Sequence, residues 1–205
     1  MRRLERSLGI GILAAWVSGI TGCATATPLP NGYVQAPVAL PDTQLVNSNR
    51  LIGGEGSDQD VQAFDSFQLN APAQISHICW RGSAADASLA GFTLTLYPAT
   101  NDAFAGPDVR NPLEVIRVSG HAHEQPAGMK LSDFSVELGR PLALAADTRY
   151  WLSVVADRTD LSPWGWANSP AGDGKSLQAY SEFRVLPATG DRSFCLRAAP
   201  PQPSR

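Results

Sequence analysis

The sequence predicts an all-β fold, an antiparallel two-sheet β-sandwich of jelly-roll type. Three observations predict it. Apolar residues in the body of the chain recur with period two, the spacing of a half-buried strand rather than of a helix. Clusters of Gly, Pro, Asn and Asp interrupt the chain at short intervals, and these residues supply the backbone angles of tight turns. No helical pattern longer than about two turns occurs there, and many short strands with such breaks read as a sandwich.

The strands follow in order. Candidates are Phe64–Leu69, Gln74–Trp80 and Gly91–Tyr97. In the third, Phe92, Leu94 and Leu96 fall on one face and Thr93, Thr95 and Tyr97 on the other. Next come Leu113–His121, then Phe134–Leu138, where Phe134, Val136 and Leu138 alternate with Ser135 and Glu137. Leu142–Ala145 follows, then Arg149–Val155, with Tyr150, Leu152 and Val154 on one face. Leu177–Val185 and Ser193–Arg197 close the series. The turns between them are Asn70-Ala71-Pro72, Asn101-Asp102, Gly106-Pro107, Pro126-Ala127-Gly128 and Gly172-Asp173-Gly174.

The amino-terminal region has a different character. Arg2, Arg3 and Arg6 precede the apolar run Leu8–Ile20, which is followed by Ile20-Thr21-Gly22-Cys23. That run is short of the about 20 apolar residues a transmembrane helix needs, and it contains three glycines and a serine. It is in the length class of a secretory signal. The order of basic residues, apolar run and small residue before cysteine resembles a bacterial lipoprotein signal with its lipobox. The resemblance implies cleavage after residue 22, a diacylglyceryl group on Cys23 and acylation of its amine. Several acyl chains hold a protein stably on a membrane, at about 0.8 kcal/mol per buried CH₂. Ala24, rather than aspartate, follows the cysteine, which resembles the outer-membrane form of the signal. The expected organisation is a signal peptide at 1–22, a lipidated Pro-rich tether at 23–44 bearing Pro28, Pro30, Pro37 and Pro41, a sandwich domain at 45–198 and a disordered tail at 199–205.

Charge and cysteine usage narrow the function classes. The chain of 205 residues carries 16 basic and 19 acidic side chains; loss of Arg2, Arg3, Arg6 and Glu5 with the signal leaves 13 and 18, a net charge of −5. A mildly acidic chain without a basic cluster argues against nucleic acid as a partner. With Cys23 lipidated, Cys79 and Cys195 remain. An exported protein can hold them as a disulfide. Their bulky neighbours, Ile78 and Trp80, and Phe194 and Leu196, would face the core and turn both cysteines outward on adjacent strands. Two buried thiols are the other reading.

The body carries a second resemblance. Ile78-Cys79-Trp80-Arg81-Gly82, Phe92-Thr93-Leu94-Thr95-Leu96-Tyr97, the run from Pro141 to Ser153, Trp164-Gly165-Trp166 and Ser193-Phe194-Cys195-Leu196 appear in that order. Over about residues 60–198 this resembles a β-sandwich module of secreted bacterial proteins, including many with PEP-CTERM-type sorting tails. The shared residues are core and turn residues, so the resemblance implies a fold and assigns no catalytic residue. A lipid anchor stands here in place of the sorting tail.

Three constellations are candidates for chemistry. Trp164 and Trp166 share a face on a strand, with Asn168, Tyr180 and Trp151 as possible neighbours. Exposed, such rings stack on sugars while amides bond the hydroxyls; buried, they are core. His121, His123 and Glu124, with His77 as a further donor, have the His-x-His spacing of a metal site or of a solvated strand end. Asn101, Asp102, Asp108 and Asp173 are oxygen donors in loops, suited to calcium or simply to turns. Gly172-Asp173-Gly174-Lys175-Ser176 lacks the first glycine of a P-loop, position 169 being Ser169, and His123-Glu124 lacks a second histidine because position 127 is Ala127. No cofactor, bound metal or enzymatic activity is expected. The expected function is a lipid-anchored binding or interaction module of the cell envelope, with glycan the first ligand class. The alternatives are an assembly lipoprotein docking another envelope component, marked by an apolar patch away from the tryptophans, and a hydrolase with a dispersed site.

Overall fold

The computed structural model describes residues 32–53, 60–180 and 184–199. The signal segment, Cys23 and most of the expected tail lie outside them. Among the described residues there are fifteen strands and no helix. They are β1 (Gly32–Gln35), β2 (Leu45–Asn47), β3 (Asn49–Leu51), β4 (Gln62–Gln68), β5 (Ala73–Ser83), β6 (Leu89–Pro98), β7 (Glu114–Ser119) and β8 (Gln125–Gly128). There follow β9 (Leu131–Leu144), β10 (Arg149–Arg158), β11 (Gly165–Ser169), β12 (Ser176–Ala179), β13 (Val185–Pro187), β14 (Asp191–Arg192) and β15 (Phe194–Ala198).

The chain is an all-β sandwich of two sheets. One sheet runs β13-β12-β4-β10-β6-β7, with β3 beside the far end of β10. The other is centred on β5, which pairs with β9 on one edge and with β15 and then β11 on the other; β1 flanks β15, and β2 and β14 flank β11. Pairing is antiparallel except for β3 on β10. The first and last strands are neighbours, Gly32 opposite Arg197 and Gln35 opposite Phe194.

Alternation builds the core. Phe92, Leu94 and Leu96 of β6 and Leu152, Val154 and Ala156 of β10 are completely buried between the sheets, against Ile75, Ile78 and Trp80 of β5. Aromatic rings knit this layer: Phe92 lies 5.1 Å from Trp80 and 4.9 Å from Phe134 between centroids. At such spacings ring pairs add attraction beyond their buried area. The opposite faces of β4, β6, β10 and β12 hold a second small cluster of Phe64, Tyr97, Trp151 and Leu177. The Trp151 indole donates to the Ala105 carbonyl at 3.0 Å, so the loop after β6 folds over this cluster.

Several expectations are corrected. The tether does not reach residue 44. Tyr33 is in the core, stacked 5.5 Å from Phe194, and Gln35 is buried; the domain therefore begins by residue 32, because β1 supplies an edge and a core ring that β15 otherwise lacks. The Pro126-Ala127-Gly128 turn is instead β8, paired with β9. Leu142–Ala145 is not a separate strand; residues through Leu144 continue β9. Leu177–Val185 is interrupted, forming β12 and β13. Strands β2, β3 and β11 are short and carried no clear alternation.

The disulfide between Cys79 and Cys195 is present, with Cα atoms 4.9 Å apart on directly opposed positions of β5 and β15. Ile78, Trp80, Phe194 and Leu196 face the core beside it.

Candidate interaction groove

The expected aromatic platform is corrected first. Trp164 and Trp166 are each 0% exposed. The Trp164 ring lies 5.2 Å from Phe92, and its Nε1 donates to the Ser83 carbonyl at 2.8 Å. Trp166 Nε1 donates to the Ser193 carbonyl at 2.8 Å. Both share a face, as the spacing requires, but that face is the core, where burying two indoles is worth several kcal/mol. Asn168 fastens the segment before β2: its Oδ1 accepts from the Gln44 amide at 2.8 Å. Tyr180 is half-exposed at the end of β12 in the other sheet, its hydroxyl on Gln178 and its ring 5.8 Å from the Arg184 guanidinium. The four residues do not form one surface.

The histidines do not form a strand pair either. His121, Ala122 and His123 are in a turn, with φ of 48° at Ala122 and His123. The turn is held by Glu124, which lies 3.4 Å from His121 Nδ1 and accepts from the Ala85 amide at 2.9 Å. Among the described residues no group of three His, Cys, Asp or Glu is placed to hold a metal ion. The loop aspartates cap turns: Asp102 accepts from the amides of Phe104 and Ala105, Asp108 from the amide of Arg110, and Asp173 from the amide of Lys175; Asp173 also accepts from the Ser66 hydroxyl and has Arg149 as its ion-pair partner.

A buried polar joint ties β1 to the rest. Tyr33 donates to Gln35 at 2.6 Å, and the Gln35 amide donates to the Arg192 carbonyl at 2.7 Å and to Asp65 at 3.3 Å. The Arg192 amide donates to Asp65 as well. Burial, with Asp191 nearby, pushes the Asp65 carboxyl well above the usual carboxylate range. Burial also raises Asp191 and lowers Arg192. Raised carboxyl groups can mark catalytic sites. Here Asp65 is 0% exposed and bonded to backbone and amide donors, so the joint serves the fold.

An accessible concavity lies elsewhere, between β7 and β9 on one open side of the sandwich. It measures about 400 Å³ and is lined by residues 114–117 of β7 and 136–140 and 142 of β9. Its geometry comes from a bulge. His77 of β5 faces Glu137 and Ile75 faces Leu142, so Leu138 to Pro141 stand opposite the single residue Ser76. Extra residues in one strand bend it and re-aim side chains. Arg140 is thereby carried across to Glu114, 2.8 Å away on the other sheet. Ile116, Val136, Leu138 and Leu142 form a partly buried apolar floor against the core. The turn at 120–124 closes the opposite end, where the Ser135 amide donates to the Ala122 carbonyl at 2.8 Å. Among the described residues β7 pairs with β6 alone, leaving its outer edge without a strand partner.

A free strand edge beside an apolar floor, with charges of both signs at its rim, suits an extended polypeptide. Sequence reasoning missed this groove. The signal that pointed to it is Gly139-Arg140-Pro141 inside an alternating run, since Gly and Pro within a strand mark bulges. No family model, curated protein or solved structure matches the chain.

Proposed function

We propose that this chain is a lipid-anchored, non-catalytic module of the cell envelope that docks an extended segment of another envelope protein in the groove between β7 and β9. The anchor is supported by the order of basic residues, apolar run and Cys23 in the sequence, and Ala24 favours the outer membrane. The docking role rests on one observation above all. The outer edge of β7, without a strand partner among the described residues, lies beside a floor of Ile116, Val136, Leu138 and Leu142, away from the tryptophans. The glycan reading loses its named platform, because Trp164 and Trp166 are buried.

Site-specific photocrosslinking in cells tests this. A photoreactive residue replaces Val115 on the groove edge or, as a control, Leu186 on β13 at the opposite edge of the same sheet. The expected result is a discrete protein adduct from Val115 and none from Leu186, together with no binding on a glycan array. Equal adducts at both positions, none at either, or glycan binding would overturn the proposal.

A further inference from the structure

The free edge of β7 has a definite chemistry, which β6 fixes. Phe92, Leu94 and Leu96 of β6 face the core, and the β7 residues opposite them are Val118, Ile116 and Glu114. Residues opposed in this way share a face, so these turn towards the groove. Arg117 and Val115 lie opposite Thr93 and Thr95, on the outer face of the sheet. The Gly120 amide donates to the Ala90 carbonyl at 2.8 Å. Along an antiparallel strand the residues bonded to a given neighbour alternate with residues that are not. Counting back from Gly120, Val118, Ile116 and Glu114 bond β6, while Val115, Arg117 and Ser119 present their backbone groups to the free edge. A strand added there sets one of its residues directly against Arg117.

Arg117 is exposed and makes no ion pair among the described residues. Its neighbours on the outer face are already engaged. Thr93 donates to Asp157 at 2.9 Å, and Arg50 donates to Thr93 at 2.7 Å and to Asp157 at 2.6 Å. Glu114 faces the groove instead and is held by Arg140.

We infer that the docked segment is a β-strand with an acidic residue opposite Arg117, flanked in sequence by apolar residues that pack beside Ile116 and Val118 over the groove. This rests on the docking reading above. The pattern is symmetric about its acidic residue, so it suits either strand direction. Opposite charges set directly across a strand pair attract, and like charges repel. A second copy does not supply the pattern. Glu114 and Arg117 lie on opposite faces of β7, so no pairing of β7 with β7 in one continuous sheet brings Glu114 of one copy against Arg117 of the other. A charge on an edge strand also deters indiscriminate pairing. Arg117 admits the strand that neutralises it and rejects one with a cation opposite, which is how an interface discriminates.

Fluorescence anisotropy with the full-length chain in detergent tests this. The probe is the labelled peptide Thr-Val-Thr-Val-Glu-Val-Thr-Val-Thr, with copies carrying Gln or Lys at its centre. The Glu form should bind about threefold tighter than the Gln form, and the Lys form weakest. Arg117→Glu should invert that order, which places the peptide on β7, and should leave the melting temperature unchanged because the side chain is exposed and unpaired among the described residues. Equal affinity for the peptides, or an order that does not invert, overturns the inference alone, since an extended segment is still bound. Binding of none of them also overturns it; the Val115 crosslink in cells then decides the docking reading separately. A dimer in sedimentation that Arg117→Glu dissolves would give the edge to a second copy and overturn the inference as well.

Discussion

Arg140 and Glu114 belong to different sheets, and their 2.8 Å ion pair spans the mouth of the groove because the β9 bulge carries Arg140 out of register. The pair is exposed on the arginine side, 83% for its side chain, so its contribution to folding is small. Arg140→Glu puts a second carboxylate beside Glu114. The expected loss of stability is roughly 0–1 kcal/mol, whereas the Val115 crosslink should fall severalfold. A large drop in melting temperature, or an unchanged crosslink, would show that the rim charges do not belong to the docking surface.

Gly82 is a glycine because Trp164 needs its space. A Cβ there would lie 2.1 Å from the indole and 2.6 Å from the Gly165 carbonyl. Backbone on one side and a fully buried ring on the other leave no easy relief. Gly82→Ala should cost about 1–3 kcal/mol by overpacking, and Trp164→Ala about 3–5 kcal/mol by emptying the core. Urea denaturation of both variants checks this. If Trp164→Ala unfolds at the wild-type urea concentration, the ring is not the core element described above.

What the sequence made legible follows from local alternation. The faces of β6 and β10 were readable because each inward residue has a polar or small neighbour, as in Phe92-Thr93-Leu94-Thr95-Leu96. The cysteine pair was readable because Ile78 and Trp80, and Phe194 and Leu196, fix the outward direction. Strand β1 was not, since Gly-Tyr-Val-Gln sits in a Pro-rich stretch and owes its place to Tyr33 packing on Phe194 and to Gln35 bonding Arg192. Whether Trp164 and Trp166 faced solvent was undecidable from spacing alone, because both outcomes put them on one side. The groove was hidden for a different reason. It exists through the register shift between β5 and β9 and the absence, among the described residues, of a strand beyond β7, and neither is a property of any one segment.

The disulfide closes a loop with a sequence separation of 116 residues. In the chain-entropy account a loop of this size stabilises by about 4–5 kcal/mol, with measured values often lower. It also staples the last strand to β5, and through β15 it supports β1. Cys79→Ala with Cys195→Ala should shift the urea midpoint down strongly and increase proteolysis within residues 32–35 first. An unchanged midpoint would mean that the pairing of β15 with β5 needs no covalent support.

Asp65 gives the fold a pH dependence of definite sign. Its folded-state carboxyl holds a proton more tightly than in the unfolded chain, because burial and Asp191 oppose its charge; Asp191 is raised for the same leading reason, burial. A group of this kind contributes stability that is full below the ordinary carboxylate range and is lost as the pH rises through the folded-state value. Other groups titrate as well: His77 is lowered, chiefly by burial, and acts in the opposite sense. The difference between wild type and Asp65→Asn isolates the effect. The variant gives up one acceptor for Gln35 or Arg192 and should be the less stable protein in acid. Raising the pH from about 4 to about 8 should then narrow the gap in melting temperature, because only the wild type has Asp65 to ionise in the core. A gap that stays constant across that range would mean that Asp65 ionises as easily in the folded protein as in the unfolded chain, and that its bonds to Arg192 and Gln35 fully offset its burial.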